Sequence, residues 1–411
     1  LNPGLWCVAQ APETVEAGLR RNWFSQISNK GDEMKTLFKL ALASALVVGA
    51  SAQAQNVKIA GLVELTGTGA TSGTNFDNGV KLAVKEINAA GGILGRKIDY
   101  RSYDTQSNPG VAKGLAEQAV DDEVYMVMGP VFSGSIMVSM AATQRAEIPN
   151  FTGGEAAAIT QKGNPYIFRT SFTQTSAMPK VVSYIQDKLK AKTVDLIYVN
   201  NDFGKGGRDL LIKSLEARGL KLGTDISVDP GQVDFSSAVV KARQATGDVL
   251  FVYTNEEEAA RALRELRKQD YKKPVVGETV LTSQKVIELA GDAANGAIAH
   301  VGLTADAPNP LVKKFDAAFQ QEYKTRSDHN GLKGYIGMYT VKAVTEKVGK
   351  FDGKAFAAAM KNISLSAKTY PGVLIDLAYD DKGDIDRESY MTRVEKGKQV
   401  VFDTVAPLGK K

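Results

Sequence analysis

A fold of two α/β lobes, each built on a parallel sheet, is predicted for this chain by three observations. Short β-rich apolar runs alternate with longer helical patterns, which places helices on both faces of parallel sheets. The runs are too many for a single doubly wound sheet of ordinary width. No repeat of fixed period occurs, which excludes a solenoid.

Taken in order, the predicted strands are Val57–Val63, Lys97–Tyr103, Tyr125–Met128, Asn150–Thr152, Thr193–Val199, Val249–Tyr253, Pro274–Gly277 and Gly296–Val301. Between them the spacing predicts helices over Asn75–Ala90, Val111–Asp121, Ser135–Ala146, Lys180–Leu189, Gly206–Arg218, Ser237–Gln244, Glu257–Gln269 and Pro310–Tyr323, with two more over Lys333–Lys347 and Lys354–Lys361. Local chemistry supports the boundaries: Gly91-Gly92 can close the first helix in a left-handed conformation, and Asn108-Pro109 caps and opens the second. The first set of elements ends near Phe168-Arg169-Thr170-Ser171, where an extended run precedes a polar stretch.

Residues 34–54 read as an export signal. Lys35 and Lys39 precede the apolar stretch Leu40–Val48, and Ala52-Gln53-Ala54 supplies the small-x-small cleavage pattern, so a mature start at Gln55 is expected. The apolar stretch falls short of the roughly 20 residues a membrane span needs, and no later segment reaches that length; the mature chain is expected not to be membrane-inserted. Residues 1–33 are expected to be upstream non-native or untranslated-region sequence. The one cysteine, Cys7, lies among them, so no disulfide is expected after Gln55.

Of the formal net charge of +5, residues 1–33 contribute −1 and residues 34–54 contribute +2. The remainder is spread along the chain without a basic run, which argues against nucleic acid as a partner. The sequence has two histidines, His300 and His329, too few for a typical zinc site and neither with a recognisable catalytic partner. Ser133 follows a strand, but Val131 breaks the nucleophile-elbow pattern. The run Gly67 to Gly73 misses the dinucleotide spacing by one residue, and the acidic runs at Glu256 and Asp380 do not fit a calcium loop. No enzyme activity, cofactor or metal is expected.

What remains is a group of residues just past the carboxyl ends of predicted strands: Ser72, Ser133, Thr152 to Glu155, Phe203, Asn255 and Thr279. In open α/β sheets ligands bind in that crevice. Hydroxyls and backbone N–H groups at helix starts can hold a carboxylate there without any lysine or arginine.

Ile59-Ala60-Gly61, Gly67, the stretch Gly79–Asn88, Gly91-Gly92-Ile93-Leu94-Gly95 and Tyr103-Asp104 open a longer set of matches. It continues through Gly129-x-x-x-Ser133, Ile148-Pro149, Phe168-Arg169-Thr170, Tyr198, Phe203-Gly204-x-Gly206, Asp234-Phe235-Ser236 and Tyr379-Asp380-x-Lys382-Gly383. Together these resemble the type I periplasmic substrate-binding proteins of ABC transporters, the leucine/isoleucine/valine-binding group, over essentially all of the chain after Gln55.

The resemblance implies two Rossmann-like lobes joined by a three-strand hinge, with crossings near Arg169–Phe172, Val301–Thr304 and Ala378–Ile385. Residues 56–170 and 303–380 would form the N-terminal lobe, and 171–302 with 386–405 the C-terminal lobe. It implies a periplasmic receptor that closes on a small carboxylate and presents it to an inner-membrane ABC permease; a sensor of the same fold coupled to a membrane signalling partner is the alternative.

By position, Ser133 matches the serine that binds the ligand carboxylate and Gly154 a backbone contact, while Phe203 replaces a tyrosine. Ala156 stands where a threonine is common, Asn255 where a tyrosine is, Ser72 where an aromatic ring covers the ligand, and Thr279 where a glutamate takes an amino acid's ammonium. Glu278 and Glu155 are the carboxylates able to substitute. Phe132 and the small Ser72 would leave room for a ring, so an amino acid and an aromatic or other organic acid both stand as ligand classes.

Overall fold

The computed structural model describes residues 55–409; the signal read over 34–54 and the segment 1–33 lie outside the described residues. The first sheet is made by β1 (Val57–Val63), β2 (Ile98–Asp104), β3 (Met126–Met128), β4 (Asn150–Thr152) and β5 (Ile167–Arg169), in the order β2-β1-β3-β4-β5 and parallel throughout. The helices between them are α1 (Ala70–Ala89), α2 (Pro109–Asp121), α3 (Ser133–Arg145) and the short α4 (Ala158–Gln161).

From β5 the chain passes through the buried residues Thr170–Thr173 into α5 (Gln174–Asp187) and a second sheet. There β6 (Thr193–Val199), α6 (Asp202–Glu216), β7 (Lys221–Val228), α7 (Ser236–Gln244), β8 (Val249–Tyr253), α8 (Glu256–Lys268), β9 (Val275–Gly277), α9 (Gln284–Ala290) and β10 (Ile298–Val301) follow in βα alternation. The chain then makes α10 (Pro310–Tyr323), α11 (His329–Val348) and α12 (Gly353–Met360), and a small antiparallel sheet of β11 (Ser364–Leu365), β12 (Leu377–Tyr379) and β13 (Ile385–Asp386). It ends in the hairpin β14 (Ser389–Glu395) and β15 (Lys398–Val405), which completes the second sheet in the order β15-β14-β10-β9-β8-β6-β7. The fold class is therefore α/β with two parallel-rich sheets.

Packing explains where α10 to α12 belong. Phe315, Ile336 and Phe356 share one buried core with Phe76, Phe151 and Phe168 from the first sheet's own elements, so these helices close the first core and not the second. Helices α1 and α11 touch backbone to backbone. A Cβ on Gly79 would sit 2.0 Å from the Gly331 carbonyl oxygen, and one on Gly334 2.1 Å from that of Phe76, so only glycine permits the approach. The third passage between sheets falls at 387–388, after the small sheet, whereas the crossing was expected over Ala378–Ile385. Tyr379 and Ile385 are buried in the first core, and that holds β12 and β13 on this side.

Two sequence expectations differ from the structure for identifiable reasons. Strand β7 was not expected: its residues alternate exposed and part-buried until the buried Ile226 and Val228, so no continuous apolar run marks it. Helices begin earlier than expected, α1 at Ala70 and not Asn75, α3 at Ser133 and not Ser135, α5 at Gln174 and not Lys180, α6 at Asp202 and not Gly206. Glycine, serine and Pro179 make these first turns look like loop. The consequence is functional, because it puts Ser72, Ser133 and Phe203 inside first turns, where backbone N–H groups lack intrahelical partners.

Candidate functional site

Between the two sheets lies a cavity of about 340 Å³, within the range of small-molecule sites. The starts of α1, α3, α6, α8 and α11 all reach its wall. Helix α3 offers an anion site: Phe132 stands at its cap position without any side-chain cap, Ser133 and Gly134 both face the cavity, and its first turn holds no acidic residue, whereas α8, also uncapped, opens with Glu256. An uncapped helix start offers N–H groups and the positive end of the dipole to an anion. Ser133 itself is buried, and its Oγ accepts from the Ala156 amide at 3.3 Å, which leaves the hydroxyl hydrogen to give to a ligand oxygen.

Beneath that turn sits Glu64, fully buried, directly after β1. Its two oxygens accept from the amides of Val131 and Phe132, each at 3.1 Å, and so fix the turn that aims Ser133. Burial pushes its carboxyl up to about 7 against the two hydrogen bonds that favour the charged form. Sequence reasoning missed Glu64, although the rule that singled out Ser133, a polar residue just past a strand end, applies to it equally.

The opposite wall carries acceptors. Ser72 on α1 donates to Glu256 Oε1 on α8 at 2.8 Å, so this hydrogen bond spans the two sheets' elements. Burial raises the Glu256 carboxyl. Asn330 lies beside it, its Nδ2 3.5 Å from Glu256 Oε1 and its own Oδ1 without a partner among the described residues. Asp328, capping α11, accepts from the amides of Asn330 and Gly331 and is pushed up to about 7 by burial and then by the Glu256 carboxylate. Burial, and after it the Lys333 charge, holds the His329 imidazole well below its ordinary value.

The expected residues divide into groups. Ser72, Phe132, Ser133, Gly154, Glu155, Phe203 and Asn255 line the cavity. The Phe203 ring stacks on Tyr253 with centroids 4.3 Å apart, and Gln174 ties its carbonyl to the Tyr253 hydroxyl with bonds of 2.7 and 3.0 Å. Thr152 and Ala156 do not reach the cavity. The Thr152 hydroxyl is turned back to donate to the Pro130 carbonyl at 2.8 Å, and Ala156 is buried behind the wall with its carbonyl held by Arg169.

Glu278 and Thr279 are also displaced from the main cavity; they border a recess of about 10 Å³ nearer the passages between sheets. Glu278 is moreover occupied: His300 Nδ1 lies 2.8 Å from its Oε1, and His300 Nε2 lies 2.8 Å from the Ser389 hydroxyl. His300 thus has partners that its sequence position did not reveal.

Glu155 faces both spaces and is paired with Lys333 from α11, Nζ to Oε1 3.0 Å, the lysine buried and the glutamate largely so. Lys333 and Asn330 were not singled out from sequence, and His329 and Glu256 were considered there only as catalytic or metal-binding residues. Lys333 sits one turn into a helix, where a lone lysine carries no local signal, and Glu256 belongs to an acidic first turn that the helix dipole already explains. Among the described residues no group of three or more His, Cys, Asp or Glu is placed to hold a metal, and no helix is long and apolar enough to cross a membrane.

Residues 56–399 match the family model described as periplasmic binding protein. The chain is 30% identical over 375 residues to Leu/Ile/Val-binding protein homolog 1 of Brucella suis biovar 1, covering 88% of this chain and 97% of the relative. It is 26% identical over 359 residues to the leucine-, isoleucine-, valine-, threonine- and alanine-binding protein of Pseudomonas aeruginosa, covering 87% and 94%. Among solved structures, the substrate-binding protein LivJ of Streptococcus pneumoniae in complex with isoleucine superposes with a TM-score of 0.78 at 24% identity, over 86% of this chain and all of that one. A solute-binding protein of an ABC transporter from Rhodopseudomonas palustris, in complex with 3,4-dihydroxybenzoic acid, gives 0.78 at 23% identity, over 85% and 97%.

Proposed function

We propose, because the chain belongs to the periplasmic binding protein family and within it to the Leu/Ile/Val-binding group, that it is the receptor of an ABC importer for a small carboxylate. The chain is a binding protein and not an enzyme, as its relatives are. Its ligand is an amino acid or an aromatic or other organic acid, taken up in the periplasm and passed to an inner-membrane permease. The observation that carries this reading is the uncapped start of α3, with Ser133 and Gly134, opening into a cavity of about 340 Å³ between two separately cored sheets. Relatives named for branched-chain amino acids, and one solved neighbour holding a hydroxylated aromatic acid, support both ligand classes.

In this reading residues 56–170 with 303–386, and 171–302 with 389–405, rotate as two lobes about the three passages between sheets. Closure removes water from the cleft and strengthens each hydrogen bond made there. Ligand shifts the population toward the closed form only by its extra contacts in that form; the Ser72–Glu256 bond is a contact that the protein itself makes between the lobes. Delivery to the periplasm would use the signal at 34–54, and the exported protein's mass should correspond to a start at Gln55.

A thermal-shift screen of amino acids, benzoate-like acids, phenylpropanoid acids, sugars and nucleotides tests the function. Small carboxylates alone should raise the apparent stability, by a few kcal/mol at saturation. Hits confined to sugars or nucleotides would contradict the reading. For the best hit, Ser133→Ala should weaken binding by about 1–3 kcal/mol, the loss usual for a hydrogen bond to a charged group; calorimetric affinities equal to wild type would remove Ser133 from the contact.

A further inference from the structure

We infer that Lys333 occupies the place a ligand's α-ammonium would take, so that the cleft selects carboxylates lacking an α-amino group. This rests on the small-carboxylate reading and narrows it. An α-amino acid carries its ammonium one carbon away from its carboxylate, so the protein group that receives the ammonium must stand beside the group that receives the carboxylate. Beside Ser133 that group is Glu155: the loop Gly153–Ala156 touches the serine directly, the Ala156 amide donating to Ser133 Oγ at 3.3 Å.

Glu155 already has its cation. Lys333 Nζ lies 3.0 Å from Glu155 Oε1 and donates to the Gly153 carbonyl at 3.3 Å, and both side chains are largely buried, at 5% and 14% exposure. Two other buried acids near the cleft stand apart from Ser133 and have partners of their own. Glu278 is engaged by His300 outside the main cavity, and Glu256 accepts from Ser72. Asp202 is exposed at the wall, where water screens its charge. An ammonium placed beside a carboxylate held at Ser133 would have to share Glu155 with a resident ammonium in a low-dielectric space, where like charges repel strongly, or displace Lys333 and leave it buried without a counter-charge.

A ligand without that group leaves the pair intact. Lys333 has three N–H donors, of which the two named contacts use two, so one is available to a ligand oxygen. The rest of the wall is suited to an apolar body, with Phe132, Val131, Phe203 and Val280 facing the space. The geometry thus fits an aryl or alkyl acid whose only charge is its carboxylate.

The test is calorimetric titration with ligand pairs differing only in the amino group: phenylalanine against 3-phenylpropanoate, and leucine against 4-methylpentanoate. Wild type should bind the acid of a pair at least about tenfold more tightly than its amino acid. Lys333→Met frees Glu155 and should move that ratio at least about tenfold toward the amino acid, while the double variant Lys333→Met, Glu155→Gln should not. Should Lys333→Met fail to fold, Glu155→Gln alone should tighten binding of the acid without admitting the amino acid. A wild-type preference for the amino acids, or a ratio indifferent to these changes, overturns the inference while the small-carboxylate reading stands. Failure of these and every other small carboxylate to bind overturns both.

Discussion

Replacing Arg169 with methionine is expected to lower the stability of the fold by about 3–5 kcal/mol and to abolish tight ligand binding at the same time. The side chain is fully buried at the end of β5. Its guanidinium donates to the carbonyls of Gly154 at 2.8 Å and Ala156 at 2.7 Å and to the Thr160 hydroxyl at 3.0 Å, and it pairs with Asp384. One residue therefore anchors three turns of chain: the loop that carries Gly154 and Glu155 to the cavity, the start of α4, and the loop before β13.

Methionine fills much of the volume but takes the guanidinium from two backbone carbonyls and leaves Asp384 with the Thr160 hydroxyl and no cation, and a buried charge stripped of its counter-charge is more costly than a pair never formed. Lysine retains the charge but cannot fork to several acceptors at once, so Arg169→Lys should recover only part of the loss. Urea denaturation together with calorimetry checks this. A variant as stable as wild type, or one destabilised but binding normally, would show that Arg169 does not hold the wall of the site.

The second large effect concerns pH. Glu64 has its carboxyl pushed up from 4.5 to about 7 by burial, so between those values the folded protein holds a proton that the unfolded chain has released. The slope of unfolding free energy with pH follows the protons bound by the unfolded chain minus those bound by the folded one, here negative. Stability from this group is full below about pH 4.5 and is lost as pH rises through about 7. Asp328 acts in the same direction, its carboxyl pushed up from 3.8 to about 7, while His329, held neutral by burial, acts in the opposite direction below its ordinary value.

The contribution of Glu64 is isolated by comparison with Glu64→Gln, which keeps an acceptor for the turn and cannot ionise. Relative to wild type the variant should gain roughly 3 kcal/mol between pH 4.5 and pH 8, at about 1.4 kcal/mol per unit where the slope is full. Affinity should follow, because an ionised Glu64 next to the Phe132 amide sets a negative charge beneath the proposed carboxylate site. Denaturation curves for the two proteins that run parallel across this range would mean that Glu64 titrates normally and carries no proton in the fold.

Much of the fold could be read from the sequence, because βα alternation depends on local period and on glycine and asparagine at element ends. The site was legible only where it is local. Ser133, Phe203 and Asn255 each lie within a few residues of a strand's carboxyl end, and that placement brings them to the cleft. Lys333 could not be read in this way. It reaches Glu155 from a helix 178 residues away, which long-range packing sets on the first core through its glycine-mediated contact with α1 and buried side chains such as Ile336. Thr279 shows the converse, since a position past a strand end puts a side chain near the crevice without ensuring that it faces the ligand space; its Oγ1 accepts from the Gly302 amide at 3.4 Å. Helix starts were read late wherever glycine and serine precede the apolar stripe, and those first turns are the ones that supply the N–H groups.

The most direct test of the whole account is a crystal structure of the protein with the best carboxylate from the screen. The ligand should be enclosed between the two sheets, chemically unchanged, its carboxylate within hydrogen-bond distance of Ser133 Oγ and the first amides of α3. A carboxylate bound elsewhere, or turned away from the start of α3, would contradict it.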